Sequence, residues 1–165
     1  MTKFHDFKFK VNEKPEQEYL EEYHKIKISS KITDGEAYLY SINGGGSYSL
    51  YLKDRFFNFN VENDSKNIAS FEGDLQLNKI RFVQLQLPKK IKDVILSLDT
   101  TSDLPSGCGG YIKFNSQDIY YDKQNKILQI GNIYPEETTY KIFNNGYTQV
   151  KKNNITGLMF TDLEL

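Results

Sequence analysis

Tyrosine is the residue type in this chain best suited to holding a ligand, because its ring is flat and its hydroxyl forms hydrogen bonds. The sequence contains 12 tyrosines and no tryptophan. Aromatic rings pack against the apolar faces of sugars, and neighbouring amide and carboxylate groups bind the sugar hydroxyls. The sequence therefore predicts a ligand-binding tyrosine surface, with these candidates: Tyr48, Tyr51, Tyr111, Tyr120 and Tyr134, and further Tyr121 and Tyr147.

Residues that could carry catalysis are few, and they form no recognisable pattern. His5 and His24 are the only histidines, and each is flanked by charged residues. A catalytic triad needs a histidine beside a nucleophile, and no serine-hydrolase or metalloprotease motif is present. The single cysteine, Cys108, excludes a disulfide scaffold within one chain and lies far from either histidine. We therefore expect exposed histidines, no enzymatic activity and no cofactor.

Two pairs of carboxylates, Asp99 with Asp103 and Glu62 with Asp64, lie in predicted loops. Oxygen-rich loops of this kind bind calcium in some β-sandwiches, but the spacing of an EF-hand is absent. We predict solvated loops and no metal site, and structural calcium stays open. A glycosidase with two carboxylates also stays open, because its residues need not be close in sequence.

Two glycine-rich loops, residues 44–46 and 107–110, could be read as phosphate-binding loops. A phosphate loop is followed by a helix, whereas here a strand-like segment follows each loop. The glycines are therefore predicted to occupy turns or strand crossovers with positive φ.

Composition excludes two classes of partner. The formal net charge is −1, with lysines interleaved among the acidic residues, so no concentrated basic face is available for nucleic acid. No stretch reaches the roughly 18 continuous apolar residues that a transmembrane helix needs. We therefore predict no nucleic-acid partner, and a link to a membrane only through a larger parent protein.

Alternation of apolar and polar residues dominates the chain and predicts antiparallel strands with one buried face. The pattern is clear around Phe7–Val11, Tyr48–Leu52 and Val83–Leu87. A single segment, Lys14–Lys25, has the spacing of a short amphipathic helix. These patterns predict an all-β protein, an antiparallel β-sandwich of jelly-roll type with one possible short N-terminal helix.

The same order of segments occurs twice. A strand, a glycine loop, a second strand, a polar turn and a short run ending in glycine fill residues 36–73 and recur in residues 93–131. A final strand is predicted at Lys79–Leu87 and again at Thr138–Phe143. The sequence therefore predicts two similar β-units, residues 1–88 with an N-terminal extension and residues 89–165, packed together as one body.

The second unit resembles the soluble extracytoplasmic region of bacterial YfhO-type membrane proteins. The resemblance rests on four segments and on the closing run, and it extends more loosely over residues 36–165: Val94–Leu98, Gly110–Asn115, Ile127–Gly131, Thr139–Ile142 and Gly157–Glu164. It implies an excised domain of a membrane protein that glycosylates cell-wall polymers. No catalytic residue of such enzymes is carried over to this chain.

The leading hypothesis is a non-enzymatic extracytoplasmic domain that binds a glycan or cell-wall polymer, or that scaffolds a membrane glycosylation protein. The alternative is a small cytoplasmic protein-interaction module of the immunity or phage type, with a protein partner on a sheet face or edge. A third hypothesis is a hydrolase with two carboxylates in a groove.

Overall fold

The computed structural model describes residues 7–52, 57–112, 114 and 118–165. These residues form two large β-sheets, one small sheet and one α-helix, with a 3₁₀ turn at Leu77–Lys79. The elements are β1 (Phe9–Asn12), α1 (Gln17–His24), β2 (Lys27–Thr33), β3 (Glu36–Ile42), β4 (Tyr48–Tyr51), β5 (Phe57–Val61), β6 (Ile68–Gln76), β7 (Arg81–Phe82), β8 (Ile91–Asp93), β9 (Ile95–Leu98), β10 (Gly109–Tyr111), β11 (Ile119–Asp122), β12 (Ile127–Gly131), β13 (Thr139–Lys141), β14 (Gly146–Lys151) and β15 (Asn154–Phe160).

The first sheet has six strands in the order β10-β4-β5-β6-β3-β2, and the second has seven in the order β7-β11-β12-β15-β14-β13-β8. Strands β1 and β9 form a separate two-stranded sheet. Most neighbours are antiparallel, and the parallel pairs β10–β4, β11–β7 and β13–β8 lie at sheet edges. The predicted all-β sandwich is confirmed.

The two large sheets meet through an aromatic core. Phe57, Phe59 and Phe71 of the first sheet are at most 2% exposed, and the Phe71 ring lies 4.9 Å from the ring of Phe160 in the second sheet. Because strand side chains alternate between faces, these phenylalanines all lie on the inner face of their sheet. Their burial removes a large apolar area from water and holds the sheets together.

The predicted short helix is also confirmed as α1. It begins two residues after Pro15, and its first turn carries Glu18, which favours the positive end of the helix dipole. Tyr23 is its buried residue, whereas Tyr19 is 54% exposed. His24 is half-buried, with Nε2 3.1 Å from the carbonyl oxygen of Val94, so it is not the exposed histidine that was expected.

A buried amide side chain joins the edge of the first sheet to the second half of the chain. Asn145 accepts a hydrogen bond from the Ile28 amide at 2.8 Å, and its Nδ2 donates to the carbonyl oxygens of Ile28 and Thr161. It is 1% exposed. Asn145 therefore provides hydrogen-bond partners for the backbone N–H and C=O of Ile28 at the edge of β2, which would otherwise be buried without partners.

Each predicted unit contains one hairpin with a similar turn, while the division of the chain into two repeated units stays a prediction. The β5–β6 hairpin turns near Lys66 and the β11–β12 hairpin near Lys126, and both lysines have positive φ, 65° and 57°. The strands before the hairpins pair differently, because β3 lies between β2 and β6 whereas β9 pairs with β1. Strand β10 also crosses over to the first sheet. The boundary near residue 88 stays a prediction.

The two glycine-rich loops lead into strands, as predicted. Gly46, just before β4, has φ of 93°, and Gly107, just before β10, has φ of 76°. A Cβ on Gly46 would lie 2.8 Å from the backbone of Asn60. Gly46 is therefore required both by its conformation and by the close approach of β5.

The predicted strand Lys79–Leu87 is wrong over most of its length. Only Arg81–Phe82 is a strand, and the supposedly buried Val83 and Leu87 are 40% and 56% exposed. The segment runs along the edge of the second sheet. There the Val83 amide donates to the carbonyl oxygen of Tyr121, and the Leu85 amide donates to the carboxylate of Asp122. At an edge, alternating apolar side chains have no second layer to cover them, so the pattern does not predict burial.

Truncation of the aromatic contact between the sheets should cost much of the protein's stability. We expect Phe71→Ala to lower the free energy of unfolding by about 3–5 kcal/mol, because it leaves a cavity in the core. Urea unfolding measures the loss. Phe82→Ala is the matched control, and because Phe82 is 58% exposed its cost should be about 1 kcal/mol or less. Equal costs for the two variants would contradict the inter-sheet contact.

Candidate functional site

The outer face of the first sheet carries a line of polar and aromatic side chains that crosses the strands. Register pairs Tyr111 with Tyr51, Tyr51 with Asn58, and Asn58 with Glu72. Paired residues lie on the same face of a sheet, so these side chains are neighbours. On β3, the next strand, Tyr38 reaches Glu72. We call this set the outer row: Tyr111, Tyr51, Asn58, Glu72, Tyr38 and Tyr40.

Hydrogen bonds fix the centre of the outer row. The Tyr38 hydroxyl donates to Glu72 Oε2 at 2.8 Å, and Asn58 Nδ2 donates to Glu72 Oε1 at 3.4 Å. The bond to Glu72 raises the pKa of Tyr38, because the carboxylate favours the protonated phenol. Asn58 is 9% exposed and Glu72 is half-buried, so the carboxylate is held in place with part of it open to solvent.

A second line of polar side chains supports the first. Asn60 Oδ1 accepts from Ser49 Oγ at 3.2 Å and from Asn58 Nδ2 at 3.3 Å, and Asn60 Nδ2 donates to Ser70 Oγ at 2.9 Å. Ser70 Oγ in turn donates to the carbonyl oxygen of Gly45 at 2.8 Å. The polar part of this face is therefore a connected network on neighbouring strands, and such networks are rigid.

A pair of tyrosines stands at each end of the outer row. The rings of Tyr51 and Tyr111 are 5.7 Å apart at 40°, and those of Tyr38 and Tyr40 are 5.8 Å apart at 15°. Because neighbouring strands are about 4.8 Å apart, the three steps from β4 to β3 separate the pairs by roughly 14 Å. The arrangement offers two aromatic surfaces with hydrogen-bonding groups between them.

The candidate tyrosines divide among different places. Tyr51 and Tyr111 come together in the outer row. Tyr48 is 5% exposed and belongs to the core, where its ring lies 6.2 Å from that of Phe7 and burial raises the pKa of its phenol. Tyr121 is also buried, with its hydroxyl bonded to the carbonyl oxygen of Leu163 at 2.5 Å, and Tyr147 is half-buried.

Tyr120 and Tyr134 lie together on the second sheet, apart from the outer row. With Gln129 and Asn132 they line an open groove of about 250 Å³. The Tyr134 backbone is held by the buried Gln149, which accepts from its amide and donates to its carbonyl, both at 2.8 Å. The segment that contains Tyr134 therefore packs over the outer face of the second sheet.

The remaining polar groups of the outer row were not singled out from the sequence. Tyr38 and Tyr40 alternate with the buried Ala37 and Leu39, and Asn58 lies between Phe57 and Phe59. The same alternation that identifies the core therefore indicates that these side chains share the opposite face. Glu72, which follows Phe71 in β6, is found by the same pattern once the strands are paired.

The predicted carboxylate loops form no metal centre in the described residues, where no group of three or more metal-binding side chains is found. Glu62 instead accepts hydrogen bonds from the Tyr23 hydroxyl and from Ser65. Asn67 Nδ2 donates to the Tyr23 hydroxyl at 2.9 Å. These bonds tie α1 to the β5–β6 hairpin beside a cavity of about 560 Å³.

Cys108 is exposed in the loop before β10. Its carbonyl oxygen accepts the Ser49 amide at 3.1 Å, which helps to place β10 beside β4. His5 lies outside the described residues. The described part of the chain thus brings neither a histidine nor a cysteine into the outer row.

The Tyr23–Glu62 contact predicts a change of stability at alkaline pH. Burial and the hydrogen bond to Glu62 raise the pKa of Tyr23 from 10.0 to about 12. The folded state therefore holds this proton more tightly than the unfolded state, so the stabilisation is complete below pH 10 and is lost as pH rises towards 12. In Tyr23→Phe the free energy of unfolding should decline less steeply between these values, as urea unfolding at several pH values would measure.

Three other tyrosines also have a raised pKa: Tyr38, Tyr48 and Tyr147. Because of them, the free energy of unfolding should still decline in part at alkaline pH, both in the wild type and in Tyr23→Phe. Tyr19→Phe, an exposed change on the same helix, is the matched control and should leave the profile unchanged. Identical slopes in Tyr23→Phe and wild type would rule out the contact.

Comparison with family models, with curated proteins and with solved structures found no match. Among the described residues, no helix has the length and apolar character to cross a membrane.

Proposed function

We propose that this protein is a non-enzymatic binding domain that takes a glycan or cell-wall polymer segment on the outer row. The observation that carries the proposal is the pairing of two tyrosine surfaces, Tyr51 with Tyr111 and Tyr38 with Tyr40, on either side of the Asn58–Glu72 contact. Sugar rings present an apolar face and a rim of hydroxyls, so they need both kinds of group.

The length and rigidity of the outer row support a chain-like ligand. The tyrosine pairs are roughly 14 Å apart across the strands, a span that a single small ring does not bridge. The groups between them belong to adjacent strands and are already hydrogen-bonded to one another. Little side-chain freedom is lost on binding, and this lowers the entropic cost of association.

With this function we propose an extracytoplasmic location, as part of a YfhO-type membrane protein that acts on cell-wall polymers. The support is the resemblance of residues 36–165 to that family. In this setting the outer row would hold the polymer while the membrane-bound part of the parent protein acts on it, or the domain would scaffold that protein.

The alternative of a cytoplasmic protein-interaction module is supported by a different surface. Phe82 and Leu87 are 58% and 56% exposed along the edge of the second sheet, next to Val83. Exposed apolar side chains in a continuous segment favour a protein partner. Loss of partner binding in Phe82→Asp, with glycan binding absent, would favour this alternative.

Loss of one tyrosine pair should weaken glycan binding. We expect Tyr51→Ala and Tyr111→Ala each to reduce affinity about tenfold, because each loses one stacking contact worth about 1 kcal/mol or more. A thermal-shift screen of neutral glycans, teichoic-acid fragments and peptidoglycan fragments would identify the ligand, and calorimetry would measure the variants. A ligand at 100 times its dissociation constant stabilises the fold by about 2.7 kcal/mol.

Tyr19→Ala, an exposed change on α1, is the matched control and should bind as wild type does. Tyr134→Ala tests whether the ligand binds the second sheet instead, because it alters the groove there without changing the outer row. No shift with any glycan, or a loss in Tyr134→Ala but not in Tyr51→Ala, would overturn the proposal for the outer row.

A further inference from the structure

The two hydrogen-bond donors at the centre of the outer row, the Asn58 amide and the Tyr38 hydroxyl, are directed at the protein itself. Asn58 Nδ2 donates to Glu72 and to Asn60, and the Tyr38 hydroxyl donates to Glu72. In the supporting line, Asn60 Nδ2 donates to Ser70, and the Ser70 hydroxyl donates to Gly45. The donors next to Glu72, on Asn58 and Tyr38, are therefore already used.

The acceptors, in contrast, have capacity left. Each carboxylate oxygen of Glu72 receives one hydrogen bond from the side chains described above, whereas a carboxylate accepts about four in total. No lysine or arginine among the described residues forms an ion pair with Glu72. A ligand at this point therefore meets a negatively charged acceptor that needs donors.

Two charged residues of the described chain lie on the same face near Tyr38, and they leave this character in place. Asp74 is opposite Tyr38 on β6 and is exposed, and its negative charge contributes to raising the pKa of the Tyr38 phenol. Lys31 is opposite Tyr38 on the other side, on β2, and is exposed to water. Exposed charges are screened by solvent, whereas the half-buried Glu72 is screened less.

We infer that the outer row selects glycans that donate hydrogen bonds, through free hydroxyls and above all free ammonium groups, and that it rejects anionic polymers. This inference rests on the proposed function. A phosphate or carboxylate group offers only acceptors, so beside Glu72 it adds like-charge repulsion and leaves the remaining acceptor capacity of the carboxylate unused. An ammonium group places a charge-assisted hydrogen bond on the same carboxylate.

The experiment compares three oligosaccharides of equal length: glucosamine oligomers with free amines, N-acetylglucosamine oligomers and uronic-acid oligomers. We expect the dissociation constant to rise in this order, with at least a tenfold difference between the amine and the uronate. Calorimetry at low and high salt measures the dissociation constant of each oligosaccharide. The amine should lose its advantage as salt rises, because screening weakens the contact between the charges.

Two variants with the same change of net charge locate the effect. Glu72→Gln removes the negative charge from the centre of the row and should abolish the preference for the amine over the acetylated oligomer. Glu36→Gln makes the same change on the same face, opposite Gln76 and about 13 Å along the strand from Glu72, and should keep the preference. Thermal unfolding of both variants checks that they are folded.

The outcomes separate the two proposals. If none of the three oligosaccharides binds and the glycan screen gives no shift, the proposed function falls, and the inference with it. If the uronate binds as tightly as the amine, or if Glu72→Gln keeps the preference for the amine, the inference is overturned while glycan binding stands.

Discussion

The fold depends on one constraint, the inward placement of the phenylalanines at the centre of the first sheet. Phe57 and Phe59 on β5 and Phe71 on β6 fill the space between the sheets and meet Phe160 from the other side. Because side chains alternate along a strand, burial of these rings sends Asn58 and Glu72 to the opposite face. The register between β5 and β6 then brings these two residues together. The hydrophobic core thus determines the position of the polar row.

The two outer faces of the sandwich differ for a physical reason. On the second sheet, Gln149 is 2% exposed and binds the backbone of Tyr134 and the side chain of Thr139, so a loop is fastened over the strands. On the first sheet, polar side chains bond mainly to one another along the surface. The described side chains of the first sheet therefore form an ordered polar surface that extends over several strands.

Much of the architecture could be predicted from the sequence, because alternation along a strand is local. The alternating runs at Tyr48–Tyr51 and Ile127–Gly131 form strands, and the segment that contains Tyr23 forms a helix. The same signal failed at Val83–Leu87, because alternation does not tell whether a second layer covers the strand. The sequence predicts part of the outer row, because Tyr51 and Tyr111 are among its candidate residues. It does not predict that they share a face with Glu72 and Tyr38, because that depends on strand order. Strand order is set by contacts between residues that are distant in sequence.

Strand β10 has a consequence for the order of events during synthesis. It comes from the second half of the chain, yet it lies against β4 and brings Tyr111 to Tyr51. A nascent chain leaving the ribosome therefore completes five strands of that sheet and must wait for the sixth. Until then β4 has a bare edge, which other chains can pair with. Any early translational arrest would therefore release fragments that expose the β4 edge to other chains and lack Tyr111 beside Tyr51.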